Sequence, residues 1–197
     1  ELLSIVKDEK SKGEKGVLNG RRLMNKDFTV ASFKDLLIKQ NTDGTRKYNV
    51  IHIASHFSLG TNWSNSFLLL GNGEILTLED INKSSSISFG DVELITLSAC
   101  NTGFGGNDDT NGKEVDSLAS VIQTKSGKAV LATLWAVADE STSLLMSEFY
   151  RLRKANPKLT KSEAMQKAQQ AMLSGKLKAI NKDKNRAEVF GKEDENL

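Results

Sequence analysis

Three short apolar runs, Tyr48 to Ala54, Val92 to Ala99 and Lys128 to Trp135, alternate with segments whose apolar residues recur at helical spacing. A continuous apolar run too short for a helix is what a strand buried on both faces requires. Strands that alternate with helices predict a layered α/β fold around a mainly parallel sheet. The helical segments are marked by Val30, Phe33 and Leu37, with Thr29 as N-cap, then by Val115, Leu118 and Ile122, and then by Leu145, Phe149 and Leu152. Asn111, with Glu114 three residues on, is placed to begin the second of these. After Pro157, Thr160-Lys161-Ser162-Glu163 forms a capping box ahead of Ala164, Ala168, Ala171 and Met172.

Between the first two runs, Gly71-Asn72-Gly73 separates Phe67–Leu70 from Glu74–Leu76, a three-residue hairpin signal. Leu78 to Ile81 reads as a short helical turn and Ser84-Ser85-Ser86 as loop. Gly103 to Gly112, rich in glycine, Asn and Asp, reads as an exposed mobile loop. Residues 1–16 are Lys- and Glu-rich without sustained periodicity and read as a polar lead-in. Residues 17–175 form one domain, and 176–197 a polar tail. At 197 residues the chain holds one sizeable core. A start at Glu1-Leu2-Leu3 without methionine is expected of a fragment of a longer protein.

Charge excludes more than it assigns. The 27 basic and 25 acidic residues nearly cancel, so direct nucleic-acid binding is not favoured despite the lysines from Lys154 to Lys184. No apolar stretch approaches the roughly 18 residues of a membrane span. A single cysteine excludes an internal disulfide and fits a reducing, cytoplasmic compartment.

That cysteine, Cys100, follows the second run in Leu97-Ser98-Ala99-Cys100-Asn101-Thr102-Gly103, and His56 follows the first in Ile53-Ala54-Ser55-His56-Phe57. In open parallel sheets, ligands and chemistry collect where strands give way to loops. A thiol at such a turn, with an imidazole near and free backbone amides in the following loop, is the arrangement that cysteine hydrolysis needs. Two plainer readings stand beside it: a lone cysteine packed as a small apolar residue, and a surface loop histidine. A cysteine phosphatase loop wants arginine six positions after the cysteine, and that position is Gly106, so the phosphatase reading fails. His52 and His56 lie four apart, but on a strand and without further ligands, which argues against zinc. His52, in mid-strand, reads as a core histidine with a satisfied hydrogen bond. Asp139 is either the N-cap of the helix that follows or a carboxylate at the mouth of the sheet, able to bind a basic side chain. Glu114 and Asp116 read as a solvated helix start.

These segments together resemble the CHAT domains of bacteria, caspase-like cysteine peptidases related to separase and gingipains. The resemblance runs from about Gly16 to Leu173. It includes Gly16-Val17-Leu18-Asn19-Gly20, Phe28-Thr29, His52-Ile53-Ala54-Ser55-His56-Phe57, Ser66-Phe67-Leu68-Leu69-Leu70, Leu97 to Gly103, Gly112-Lys113-Glu114-Val115, Ala132 to Thr142, Phe149-Tyr150 and Ala168-Gln169. It implies a caspase-like layered α/β/α fold with a mainly parallel central sheet, lacking its N-terminal portion. It also implies a cysteine endopeptidase with a His56/Cys100 dyad, its oxyanion held by the backbone amides of Phe57 and Cys100. Phe57 departs from the glycine common in relatives, keeping the amide and adding a bulky side chain. The Trp135-to-Asp139 stretch resembles the separase segment whose aspartate selects arginine before the scissile bond. The implied partners are a protein substrate and a regulatory tetratricopeptide repeat domain, in the same or another chain, with no cofactor and no membrane. Two rivals are a catalytically silent caspase-like interaction or signalling module and an unrelated flavodoxin-like binding domain. Loss of either dyad residue would favour the first, and both residues are present; the second leaves the ordered series of motifs unexplained.

Overall fold

The computed structural model describes residues 1–10, 16–58, 60–98, 118, 121–125, 127–132 and 139–177. In chain order these form α1 (Leu2–Ile5), β1 (Val6–Asp8), β2 (Leu18–Gly20), α2 (Val30–Ile38), β3 (Val50–Ala54), β4 (Phe57–Ser58), β5 (Phe67–Leu69), β6 (Ile75–Thr77), α3 (Leu78–Lys83), β7 (Leu94–Ser98), β8 (Val130–Ala132), α4 (Asp139–Ala155) and α5 (Lys161–Leu173). Residues 121–124 are also helical.

The parallel sheet expected from the apolar runs is present as β3-β7-β8, with Val50 opposite Leu94 through to Ala54 opposite Ser98, and Ile95 opposite Val130. Its side chains alternate between two faces, as a pleated strand demands. Ile51, Ile53, Ile95, Leu97, Val130 and Ala132 belong to one apolar cluster. That cluster also takes in Phe33 and Leu37 of α2, Leu78 and Ile81 of α3, and Val121 and Ile122. Val50, Leu94 and Leu131 belong to a second cluster with Ile5 of α1, Phe149 of α4 and Ala164 of α5. Helices therefore contribute to a core on each face, and the chain is a mixed α/β protein with a parallel sheet.

Two departures from the expected sheet have local causes. Among the described residues the strands form three sheets: β3-β7-β8, a parallel pair β1-β2, and an antiparallel β4-β5-β6. The antiparallel sheet grows from the expected hairpin, with Leu68 opposite Leu76 and Gly73 in the left-handed region at φ +88. A Cβ on Gly71 would meet the Asn25 carbonyl oxygen at 1.8 Å, so only glycine lets the hairpin close against that turn. The helix starts follow the expected chemistry. Thr29 and Thr160 each accept from the backbone N–H three residues on, in full capping boxes, and Thr77 does the same for α3. The N-terminal residues, which carry no periodic signal, are nonetheless built in: Ile5 is fully buried and β1 pairs with β2 from Val6/Leu18 to Asp8/Gly20.

Asp8 shows what holds that N-terminal pair. It is 4% exposed, and its carboxylate accepts from the Lys10 N–H (2.8 Å), the Arg22 N–H (3.0 Å) and the Arg21 guanidinium (2.9 Å). Burial pushes the carboxyl pKa up, but the two amides and Arg21 outweigh it and hold it below the ordinary value. Asp8→Asn is expected to lower the unfolding free energy at pH 7 by about 2 kcal/mol, the scale of hydrogen bonds to a charged group, read by urea denaturation. Because the folded pKa is depressed, this contribution is present above the unfolded value of about 3.9 and is lost as pH falls through the folded pKa. The gap between wild type and variant should close over that acid range.

Candidate functional site

The ends of β3 and β7 define the site. Ala54 and Ser98, directly opposite one another, are the last paired residues of two neighbouring parallel strands among the described residues. His56 is the second residue past Ala54, and Cys100 the second past Ser98. His56 is exposed and lies between β3 and β4. Cys100 lies outside the described residues, as do the 103–112 loop, Glu114, Asp116 and Trp135. Asp139 belongs to α4 as its first described residue.

The antiparallel sheet fixes the chain around His56. The Ser55 hydroxyl donates to the Leu69 carbonyl, and the His56 carbonyl accepts from the Leu69 N–H at 2.9 Å. Phe57 stands opposite Leu68, one step along the ladder from that bonded pair. Bonded and non-bonded pairs alternate in an antiparallel ladder, so the Phe57 N–H is turned away from β5. The Phe57 side chain is 3% exposed and belongs to the first apolar cluster. The bulk that replaces the expected glycine is thus stored in the core.

Beneath the strand ends, the second face of the sheet turns polar. His52, Thr96 and Ser98 take the positions that continue from Val50 and Leu94, and all three are hydrogen-bonded. His52 is the satisfied core histidine expected of it. Its Nδ1 lies 3.1 Å from the Tyr150 hydroxyl and its Nε2 2.9 Å from Glu1 Oε1. The Tyr150 hydroxyl is 2.8 Å from Thr96 Oγ1, and the Ser98 hydroxyl donates to Glu1 Oε2 at 2.8 Å. Burial pushes the Tyr150 phenol far above its ordinary value despite the opposing bond to Thr96, so the group stays protonated. Sequence reasoning missed Glu1, Thr96, Ser98 and Tyr150 as a group. The alternation in Leu94-Ile95-Thr96-Leu97-Ser98 carried a signal, since Thr and Ser share one face of an otherwise apolar strand.

A cavity of about 320 Å³ is lined by residues from Lys47 to Ala54, which include all of β3, and by residues from Leu18 to Leu23. Among the described residues, no three His, Cys, Asp or Glu side chains gather as a metal site, and no helix is long and apolar enough to cross a membrane.

The sequence model of one family, the CHAT domain, matches residues 3–189. Comparison with curated proteins and with solved structures returns no match. The buried phenol gives a direct test of the polar layer. Tyr150→Phe would strand Thr96 Oγ1 and His52 Nδ1, and is expected to lower stability by about 1–3 kcal/mol in thermal denaturation.

Proposed function

Because the chain belongs to the CHAT domain family, a family that includes caspase-like peptidases, we propose that it is a cysteine endopeptidase acting through His56 and Cys100. One observation carries this reading: the two residues follow, at equal distance in sequence, Ala54 and Ser98, directly opposed residues of adjacent parallel strands. A nucleophile and its base must meet at one edge, and the equal spacing of His56 and Cys100 from two opposed strand residues supports that pairing.

In the proposed reaction His56 takes the Cys100 proton, and the thiolate attacks the scissile carbonyl. The tetrahedral oxyanion is held by the backbone N–H groups of Phe57 and Cys100. The turn of the Phe57 amide away from β5 supports its part in this. His56 then protonates the leaving amine, and water hydrolyses the thioester with the same imidazole as base. Asp139, at the start of α4, is assigned the side chain before the scissile bond. A carboxylate pairs with guanidinium through two parallel hydrogen bonds and with lysine only as a point charge, so arginine is preferred. Activity is gated by an adjoining repeat domain or partner, and the protein works in the cytoplasm.

An arginyl chloromethylketone is expected to label Cys100 in the full-length protein, read by mass spectrometry of the modified peptide. Cys100→Ala and His56→Ala should each lower turnover of an arginine peptide by about 10³-fold or more, the scale of losing one member of a catalytic unit. A folded protein with no labelling and no turnover would leave a catalytically silent interaction module. Asp139→Asn should lower kcat/KM for arginine substrates by about tenfold or more, matching a charged hydrogen bond. Unchanged arginine cleavage in that variant would confine Asp139 to stabilising the first turn of its helix.

A further inference from the structure

Backbone pairing holds β3 and β7 together up to Ala54 and Ser98, the last pair among the described residues. Two side chains touch both strands near that limit: Tyr150, through His52 and Thr96, and Glu1, which reaches Ser98 in the last pair. The Glu1 carboxylate takes His52 of β3 on Oε1 (2.9 Å) and Ser98 of β7 on Oε2 (2.8 Å), with the His52 side chain 3% exposed and that of Glu1 11%. We propose that Glu1 is a positioning residue, tying together the ends of the two strands from which His56 and Cys100 depart; the proposal rests on the peptidase reading of those two residues.

The proton arrangement follows from the donors present. A carboxylate only accepts, so His52 Nε2–H and the Ser98 O–H both donate to it. With a neutral imidazole, His52 Nδ1 accepts from the Tyr150 O–H, whose oxygen accepts from Thr96. Both imidazole nitrogens are therefore fixed: Glu1 sets the tautomer, and Tyr150, on α4, anchors the ring from the other side. Ser98 is held from the same carboxylate two residues before Cys100. Charge-assisted bonds are the short, directional ones, and two of them on one carboxylate resist sliding of either strand.

The same network accommodates an amide in place of the carboxylate. In Glu1→Gln the side-chain N–H would donate to His52 Nε2, His52 Nδ1–H to the Tyr150 oxygen, and the Tyr150 O–H to Thr96, while the amide oxygen keeps Ser98. Every bond survives with its direction reversed along the His52 arm. Glu1→Ala removes the bridge altogether, and Ser98→Ala removes only the β7 arm. The bridge and its negative charge can thus be separated.

The experiment compares Glu1→Ala, Ser98→Ala and Glu1→Gln in the full chain by two readouts: kcat and KM on an arginine peptide, and the rate of Cys100 alkylation by iodoacetamide across pH. The second needs no turnover. Glu1→Ala and Ser98→Ala are expected to lower kcat about tenfold or more with KM nearly unchanged, since small displacements of reacting groups fall on the chemical step. Both should also shift the pH profile of alkylation, while Glu1→Gln recovers both readouts to within about threefold, as the retained bridge requires. The proposal is overturned if both truncations leave kcat and the alkylation profile at wild-type values, whatever they do to the melting temperature. It is equally overturned if Glu1→Gln fails to rescue. Turnover that is intact and indifferent to the variants sinks the positioning role and leaves the peptidase standing. Absent turnover with an alkylation profile that follows the variants as expected does the reverse.

Discussion

The parallel pairing of β3 with β7 is the constraint on which the rest of the molecule depends. Its register is enforced from both sides of the sheet. On one face Ile53 and Leu97 enter the larger apolar cluster; on the other His52, Thr96 and Ser98 find hydrogen-bond partners. A slip of one residue in either strand would turn its polar side chains into the apolar cluster and its leucines or isoleucines toward Glu1 and Tyr150. Neither exchange is tolerable, because a buried hydroxyl or imidazole without a partner carries its full desolvation cost. The opposition of Ala54 and Ser98, the strand residues that precede His56 and Cys100 in sequence, is thus a consequence of core chemistry.

What was legible in the sequence was what is local or periodic. The threonine caps at Thr29 and Thr160 announce α2 and α5 because capping is settled within four residues. The apolar runs announce β3, β7 and β8 because a doubly buried strand has little other composition available to it. The hairpin was read from its glycines. What stayed hidden was made by contacts distant in sequence. β1, β2 and the two-residue β4 are too short to show a period and exist through their partners. Asp8 meets Arg21 across a parallel pair, and Glu1 meets Ser98 across nearly the whole first half of the chain. No pattern of spacing marks a carboxylate for either duty.

The candidate site divides along the same line. His52 as a satisfied core residue and His56 beyond a strand end both follow from their place in one apolar run, and the structure agrees with each. Where the bulk of Phe57 goes was not legible, because sequence gives no direction to a side chain outside a regular strand. In the fold β4 begins at that residue, and the pleat sends the ring inward.

One edge of the central sheet has a wider consequence. Among the described residues β3 is paired only with β7, and all five of its residues, Val50 to Ala54, line the cavity. His52 stands at this boundary: it lines the cavity and also grips Glu1. Anything that entered the cavity would meet the histidine that organises the polar layer. Any occupant that fits one arrangement of that imidazole better than another must, by thermodynamic reciprocity, be bound better when the strand ends are so arranged. Cavity and polar layer thus share a single ring, so that whatever alters the surroundings of His52 on one side bears on the strand ends on the other.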